Sequence, residues 1–157
     1  MKFKLDGTDK FFEVLALVSV LANFIIIGMN YSSLPDVIPN HFDLNGEPNQ
    51  YGSKNSLWAV AAVSVFIYML IGIITLFPES FNYPSQKNDK ESQYKMGVKL
   101  MRSLRACMLL FVALLTYVMI QSAKNGTAKG TFWIIAVVPA ILLGNLIWFA
   151  VKWKKIK

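Results

Sequence analysis

Two long stretches of this sequence, at positions 57–77 and 132–151, contain no charged residue. Each is long enough to cross the hydrocarbon core of a bilayer, which requires about 20 residues of helix at a rise of about 1.5 Å per residue. A helix of a soluble four-helix bundle carries a polar face along its length, and neither stretch has one. The two stretches therefore predict transmembrane helices.

Two further apolar stretches, 11–29 and 104–120, bring the number of predicted spans to four. Each has a charged residue near its start. We expect Glu13 to lie among the lipid headgroups and Arg105 to extend its side chain along the helix towards the interface. The composition agrees, because 55% of the residues are hydrophobic and 16% are charged, against roughly 45–50% and 25% in soluble domains.

The predicted fold class is an all-α polytopic membrane protein, a four-transmembrane-helix bundle with a compact extracytoplasmic loop between the first two helices. We predict a single membrane domain over residues 1–157. Its predicted segments are a first span at 11–29, a motif-bearing outer loop at 30–56, a second span at 57–77, an amphipathic cytoplasmic segment at 85–103, a third span at 104–120 and a fourth at 132–151.

The distribution of lysine and arginine predicts the orientation. Of the 16 Lys and Arg residues, 13 lie before the first span, between the second and third spans, or after the fourth. Only Lys54, Lys124 and Lys129 lie on the other side. Positive residues gather on the cytoplasmic side, so both termini are predicted to be cytoplasmic in a multi-pass protein of the plasma (inner) membrane. The net charge of +7 thus indicates topology, and no nucleic-acid partner is expected.

The segment before the third span has the pattern of an amphipathic helix. Apolar residues recur at helical spacing beside a stripe of cations: Tyr94, Val98 and Met101 next to Lys95, Lys99 and Arg102. One interpretation is a flank that sets the topology and rests against anionic headgroups. The alternative is a docking face for a cytoplasmic partner.

Polar residues inside the spans are few, and two asparagines stand out. Asn23 and Asn145 are predicted to form interhelical hydrogen bonds, and they could instead face the helices of a partner protein. No Asp, Glu, His, Lys or Arg lies near the centre of a predicted span, whereas proton and ion pathways usually need such a residue. The sequence therefore argues against a coupled transporter.

The outer loop combines turn residues with interleaved apolar side chains, which disordered loops lack. The alternation places Phe42 and Leu44 on one face and His41 on the other. Asn45-Gly46 is the dipeptide favoured in two-residue hairpin turns, and Pro48 favours a short return strand at an edge. We predict a small hairpin that caps the outer ends of the helices.

His41 is the only histidine, and three acids, Asp36, Asp43 and Glu47, are close to it in sequence. It could order the loop through a hydrogen bond, recognise a partner, or belong to a metal-binding or pH-sensitive site. A zinc site uses three or four ligands in tight geometry, and one histidine with scattered carboxylates does not meet that pattern. We expect neither a metal nor a cofactor.

The loop also carries an extended motif. It reads Leu34-Pro35-Asp36-x-Ile38-Pro39-x-His41-Phe42-x-x-x-Gly46-Glu47-Pro48-Asn49-x-Tyr51-Gly52-Ser53-Lys54. This run resembles the signature of the domain of unknown function DUF1648, which forms the N-terminal part of proteins similar to the SdpI immunity and signalling protein of bacilli. The resemblance covers residues from about 10 to 77. The family usually has an acid where this chain has Asn49.

The resemblance implies a bacterial plasma-membrane protein. The best-known relative confers immunity to a secreted peptide toxin and, when it captures that toxin, holds a cytoplasmic repressor at the membrane. Because ordered loops on a rigid scaffold often carry binding residues, we expect the motif-bearing loop to bind a peptide or another partner. The candidate residues are Pro39, His41, Phe42, Gly46, Glu47, Pro48, Tyr51, Gly52 and Lys54.

Three functional hypotheses follow. The first is a non-enzymatic sensor or immunity-type protein whose outer loop binds a secreted peptide or an envelope component. The second is an accessory or structural subunit of a membrane complex. The third is a membrane enzyme, which we do not expect, because the sequence has no H-E-x-x-H, G-x-S-x-G or phosphate-binding glycine motif.

Overall fold

The computed structural model describes residues 5–43, 45–83, 89–128 and 133–154. In these residues the chain forms four long helices, two short 3₁₀ turns and one β-hairpin. The helices are α1 Gly7–Asn30, α2 Ser56–Ile74, α3 Lys90–Asn125 and α4 Trp133–Trp153, the strands are β1 Val37–Phe42 and β2 Pro48–Ser53, and the 3₁₀ turns are Tyr31–Ser33 and Pro78–Ser80. Each of the four helices is apolar enough, and has enough residues, to cross a membrane. The prediction of four such helices with a small hairpin between the first two is confirmed.

Helix α3 lies at the centre of the structure. It packs against α1, α2, α4 and β1, and 56% of its most apolar stretch is buried, compared with 11% for α4. Its 36 residues correspond to about 54 Å of helix, well beyond a hydrocarbon core of about 30 Å. In the described residues, the predicted amphipathic segment and the predicted third span are one continuous helix.

The ends of the helices follow local sequence signals. At the start of α1, the Asp6 carboxylate accepts from the Asp9 N–H (2.8 Å) and the Asp9 carboxylate accepts from the Asp6 N–H (3.1 Å), so two N–H groups that a helix leaves unpaired are satisfied. Helix α3 begins after Asp89, whose carboxylate accepts from the Ser92 N–H. It ends at Gly126, which has a φ of 77°, a left-handed conformation that favours glycine.

Two apolar clusters join the helices. One lies at the end that carries the hairpin, which we call the hairpin end; its buried members are Ile27, Leu34, Ile38, Leu57, Ala61, Met119 and Ile120. The other lies closer to the N-terminal ends of α1 and α3, and its buried members are Ala16, Val20, Ala106 and Leu109. Since residues early in α1 meet residues early in α3, these two helices run in the same direction. The alanines allow their backbones to approach closely.

Parts of several predictions lie outside the described residues. They are the predicted hairpin position of Leu44, residues 84–88 at the start of the predicted amphipathic segment, residues 129–132 before α4, and the basic residues of 1–4 and 155–157.

Candidate functional site

The motif of residues 34–54 folds into the hairpin. Its antiparallel strands pair Ile38 with Gly52 and Pro39 with Tyr51. The regular register is then interrupted twice, between Pro39 and His41 and between His41 and Phe42. Such irregularities bend a strand and change the direction of nearby side chains. They occur here on both sides of His41.

The turn of the hairpin differs from the predicted two-residue type. The Asp43 N–H donates to the Glu47 carbonyl (2.9 Å), and the Gly46 N–H donates to the Asp43 carbonyl (3.0 Å). Gly46 has a φ of 79°, the left-handed position that closes a three-residue hairpin loop. The dipeptide Asn45-Gly46 thus predicted a hairpin correctly, but the loop is one residue longer than expected.

The Asp43 side chain stabilises this turn. Its Oδ1 accepts from the N–H groups of Asn45 (2.8 Å) and Glu47 (2.9 Å). These backbone hydrogen bonds, led by the one from Glu47, lower the pKa of Asp43 below its ordinary value. This carboxylate therefore has a structural role in the turn.

Apolar side chains attach the hairpin to the helices. Ile38 is 0% exposed and Leu34 is 4% exposed, and both belong to the cluster at the hairpin end. The Ala128 N–H, which follows α3, donates to the Gly46 carbonyl (3.3 Å) at the hairpin tip. The hairpin is therefore held at its base and at its turn, as the prediction of a cap requires.

Lys54 joins the two ends of the motif. Its Nζ lies 3.1 Å from Asp36 Oδ1, donates to the Leu34 carbonyl (3.3 Å) and lies 5.1 Å from the centre of the Tyr31 ring. The Lys54 N–H also donates to the Asp36 carbonyl (2.9 Å). Lys54 and Asp36 thus fix the chain where it enters and leaves the hairpin.

Gly52 lies directly against the side chain of Asn40. A Cβ atom at this position would lie 2.6 Å from Nδ2 of Asn40, which is shorter than any van der Waals contact. Of the motif glycines, Gly46 is favoured by its positive φ angle, and a side chain at Gly52 would displace the Asn40 amide.

Another group of side chains in or next to the motif projects from the hairpin surface. Tyr51 is 59% exposed and Val37 is 60% exposed. His41 and Asn49 are also exposed, and their Nδ1 and Oδ1 atoms lie 2.6 Å apart. We call Val37, His41, Asn49 and Tyr51 the hairpin surface. It combines apolar, aromatic and hydrogen-bonding groups on a backbone that the helices hold in place.

The predicted site residues therefore divide into two groups. Of the nine, His41 and Tyr51 are exposed, whereas the others are buried or half-buried: Pro39, Phe42, Gly46, Glu47, Pro48, Gly52 and Lys54. The hydrogen bond expected for His41 is present, with Asn49 as its partner. Within the described residues, no three His, Cys, Asp or Glu side chains are grouped so that they could hold a metal ion.

The two interhelical asparagines point into the protein. Asn23 is 0% exposed, and its Nδ2 lies 3.5 Å from Oγ of Ser64 on α2. Asn145 on α4 is half-buried and accepts from the Ser103 hydroxyl on α3 (3.4 Å). Both asparagines thus link helices of this chain.

A ladder of ion pairs joins α1 and α3 at the end opposite the hairpin. Lys99 pairs with Asp6, and Arg105 pairs with Glu13. Between them, the Arg102 guanidinium lies 3.1 Å from both Asp9 and Glu13. We call these six residues the ion-pair ladder. All three cations of the predicted basic stripe are therefore paired within the chain. Lys99 and Arg102 pair with acids at the start of α1, and Lys95 pairs with Glu91 of its own helix.

Arg105, the charged residue at the start of the predicted third span, is buried within the protein. Its side chain is 3% exposed and lies against α2, where Nη1 donates to the Tyr68 carbonyl (3.4 Å) and the guanidinium lies 4.8 Å from the Tyr68 ring centre. A Cβ at Gly72 would lie 2.9 Å from Nη1. Because Glu13 supplies the opposite charge, Arg105 can remain buried between three helices.

The acidic half of this ladder was not predicted from the sequence. Asp6, Asp9 and Glu13 are spaced by three and four residues, which places them on one face of a helix. The cations Lys99, Arg102 and Arg105 have the matching spacing of three. Comparing the two stripes would have suggested the pairing, but only if α1 and α3 were known to be neighbours.

Comparison with known proteins agrees with the resemblance in the hairpin and its flanking helices. Residues 18–65 match a family model. The family is the domain of unknown function DUF1648. The DUF1648 match begins within α1, includes the whole hairpin and ends within α2, so it covers the side chains that anchor the hairpin as well as the hairpin surface.

One curated relative of the chain is an uncharacterized protein of Archaeoglobus fulgidus. The two are 30% identical over 89 residues, which cover 52% of this chain and 49% of the relative. The match thus spans about half the length of that protein. No solved structure matches the chain.

Proposed function

We propose that this chain is a multi-pass protein of a bacterial plasma membrane, of the SdpI-like DUF1648 type, with both termini in the cytoplasm. We further propose that it is a non-enzymatic sensor or immunity-type protein. Its hairpin surface would bind a secreted peptide or an envelope component. One observation carries the proposal: the motif builds a fixed cap with some of its side chains and leaves His41, Asn49 and Tyr51 exposed upon it.

The proposal is supported by the contrast between the hairpin backbone, which the helices hold in place, and the side chains that it exposes. A defined loop on a rigid scaffold is well suited to binding, because little conformational entropy is lost when a ligand binds. Large exposed groups such as Val37 and Tyr51 stabilise a fold little, yet tyrosine is enriched where proteins bind partners. The hairpin surface thus has the composition of a small recognition site.

The position of β2 suggests how a peptide would bind. Strand β1 packs on α3, and within the described residues the sheet has two strands. In β2, Asn49, Gln50 and Tyr51 are exposed. The outer edge of such a strand offers backbone groups to an extended peptide, while the neighbouring side chains supply selectivity.

The alternative of an accessory subunit receives less support from the described residues. It was motivated by Asn23 and Asn145, and these contact Ser64 and Ser103 of the same chain. Similarly, the proposed absence of enzymatic activity is supported by the carboxylates near His41: Asp36 pairs with Lys54, and Asp43 accepts from the hairpin backbone.

The binding proposal is tested by sensitivity to envelope-active peptides. Cells that lack the chain would be complemented with wild type, with the double variant His41→Ala and Tyr51→Ala, or with Asn125→Ala as an exposed control outside the hairpin. We expect the double variant to resemble the deletion and the control to resemble wild type, at equal membrane abundance. If the deletion changes sensitivity to no peptide in the panel, the immunity function is wrong.

The orientation is tested separately by labelling. Cys107 is the only cysteine and is buried, so a cysteine introduced at Tyr51 or Glu91 provides a new reactive site. A membrane-impermeant maleimide should label Tyr51→Cys in intact cells and Glu91→Cys only after permeabilisation. The reverse pattern would contradict the proposed cytoplasmic termini.

A further inference from the structure

An apolar groove lies at the end of the helices opposite the hairpin, away from the hairpin surface. It is bounded by α3, by α4 and by residues 81–83, and its volume is about 430 Å³. This volume is within the range of small-molecule sites, about 300–1,000 Å³. Among its lining residues are Phe81, Tyr83, Leu100, Phe149, Ala150 and Trp153.

Packed aromatic rings form one wall of the groove. The Tyr83 and Trp153 rings are stacked with centres 5.6 Å apart and planes 3° apart, and the Tyr83 hydroxyl donates to the Pro78 carbonyl (2.8 Å). Gly97 makes this arrangement possible, because a Cβ there would lie 2.9 Å from the Tyr83 ring. Burial is the main cause that raises the pKa of Tyr83 to about 12, so its hydroxyl is neutral at physiological pH.

One polar group at the groove lacks a hydrogen-bond partner among the described residues. The indole Nε1 of Trp153 is shielded from solvent and has no hydrogen-bond acceptor among the described residues. A buried donor without an acceptor is unfavourable, whereas a ligand with an oxygen atom at this position would satisfy it. An occupant of the groove should therefore be apolar along its length and carry an acceptor near Trp153.

The charges beside Trp153 indicate the sign of that acceptor. Lys152 lies in the last turn of α4 and Lys154 directly follows the helix, and both are exposed. Lys152 Nζ lies 5.2 Å from the centre of the Trp148 ring. Glu91, in the first turn of α3, pairs with Lys95. Two cations thus adjoin Trp153 in the chain, at the end of α4 that borders the groove.

We propose that the groove binds an anionic glycerophospholipid from the adjacent leaflet. One acyl chain lies between α3 and α4, an oxygen of the lipid accepts from the Trp153 indole, and Lys152 and Lys154 face the phosphate. An apolar groove at the end of membrane-spanning helices is open to lipid chains, and basic side chains at this depth favour anionic headgroups. The inference does not depend on the hairpin surface or on the orientation of the protein.

Quenching of tryptophan fluorescence by brominated lipids tests this site. Trp153 is made the only tryptophan by the substitutions Trp58→Phe, Trp133→Phe and Trp148→Phe, and the protein is placed in phosphatidylcholine vesicles. A minor fraction of the lipid is brominated phosphatidylglycerol or, in a parallel sample, brominated phosphatidylcholine. We expect an apparent affinity at least about fivefold higher for phosphatidylglycerol, the factor that one lysine near an anionic lipid contributes.

Matched variants locate the preference. Ala150→Phe fills the groove and should abolish the preference for phosphatidylglycerol. Ala140→Phe, at an exposed α4 position outside the groove, should leave that preference unchanged. Lys152→Gln with Lys154→Gln should reduce it and leaves the apolar packing intact, so it remains informative if Ala150→Phe does not fold. Equal quenching by the two lipids, or a preference that survives both groove variants, would overturn the proposal.

Discussion

The hairpin and the ion-pair ladder lie at opposite ends of α1 and α3, and different interactions stabilise them. At the hairpin end, Ile38 fills an apolar space between α1, α2 and α3, and this contact is driven by the removal of apolar surface from water. At the other end, α1 and α3 are joined by charges, including Arg105, which is 3% exposed.

The comparison shows where each region can tolerate change. In the hairpin, the residues that stabilise the fold and those that are exposed are different, so binding can be altered without unfolding. In the ladder, the charges that the sequence presents as a surface stripe are engaged within the fold, so the same substitutions would affect stability. Four predictions test this contrast, from the largest expected effect to the smallest.

Removing Glu13 should cause the largest loss of stability. The change Glu13→Ala leaves the buried Arg105 without its carboxylate, and breaking a buried pair in this way costs about 3–5 kcal/mol. Because Glu13 is 30% exposed, we expect a value of about 3 kcal/mol, measured by reversible unfolding in mixed detergent micelles. The control is Glu91→Ala, which breaks an exposed pair with Lys95 and should change stability by less than about 0.5 kcal/mol. Equal effects of the two changes would contradict the ladder.

Truncating the buried side chain of the hairpin should be the next largest effect. Ile38→Ala leaves a cavity between three helices and should destabilise the protein by about 2–4 kcal/mol. Its neighbour Val37 is 60% exposed, so Val37→Ala should change the free energy of unfolding by less than about 0.5 kcal/mol. The same unfolding assay applies. If Val37→Ala is as harmful as Ile38→Ala, the division between anchor and surface is wrong.

The turn glycine should have a smaller effect. Gly46→Ala places a Cβ on a residue with a φ of 79°, which costs about 1–2 kcal/mol for most residues. Gly46→Asn should cost less, because asparagine enters the left-handed region more readily. Unfolding of the two variants under identical conditions measures the difference. A larger loss for asparagine than for alanine would show that backbone conformation is not the reason for glycine here.

The exposed end of the ladder should produce the smallest effect, visible only in acid. The hydrogen bond from Lys99 is the main cause that lowers the pKa of Asp6 from 3.8 to about 2. A depressed carboxyl pKa stabilises the folded state above pH 4, and this contribution is lost as the pH falls from about 4 to 2. We expect Asp6→Asn to be less stable than wild type above pH 4 and to approach it near pH 2. A difference that is independent of pH across this window would contradict the assignment.

The sequence alone was sufficient for the four membrane-spanning helices and for the hairpin. Uncharged stretches such as 57–77 have too few polar groups to fold in water, so their environment follows from composition. The hairpin followed from local chemistry: alternation around His41, the Asn45-Gly46 dipeptide and a motif that matches DUF1648 over residues 18–65. Local propensity fixed these features, because each depends on neighbours in the chain.

The tertiary structure decided which polar residues are exposed. Lys99 and Arg102 have the spacing of a surface stripe, but α1 places Asp6, Asp9 and Glu13 opposite them. In the same way, Tyr83 and Trp153 are 70 positions apart and yet form one wall of a groove. Which helix lies beside which is a non-local property that the period of a single segment cannot encode, so the pairing of charges and the shape of the groove emerge only when the helices pack.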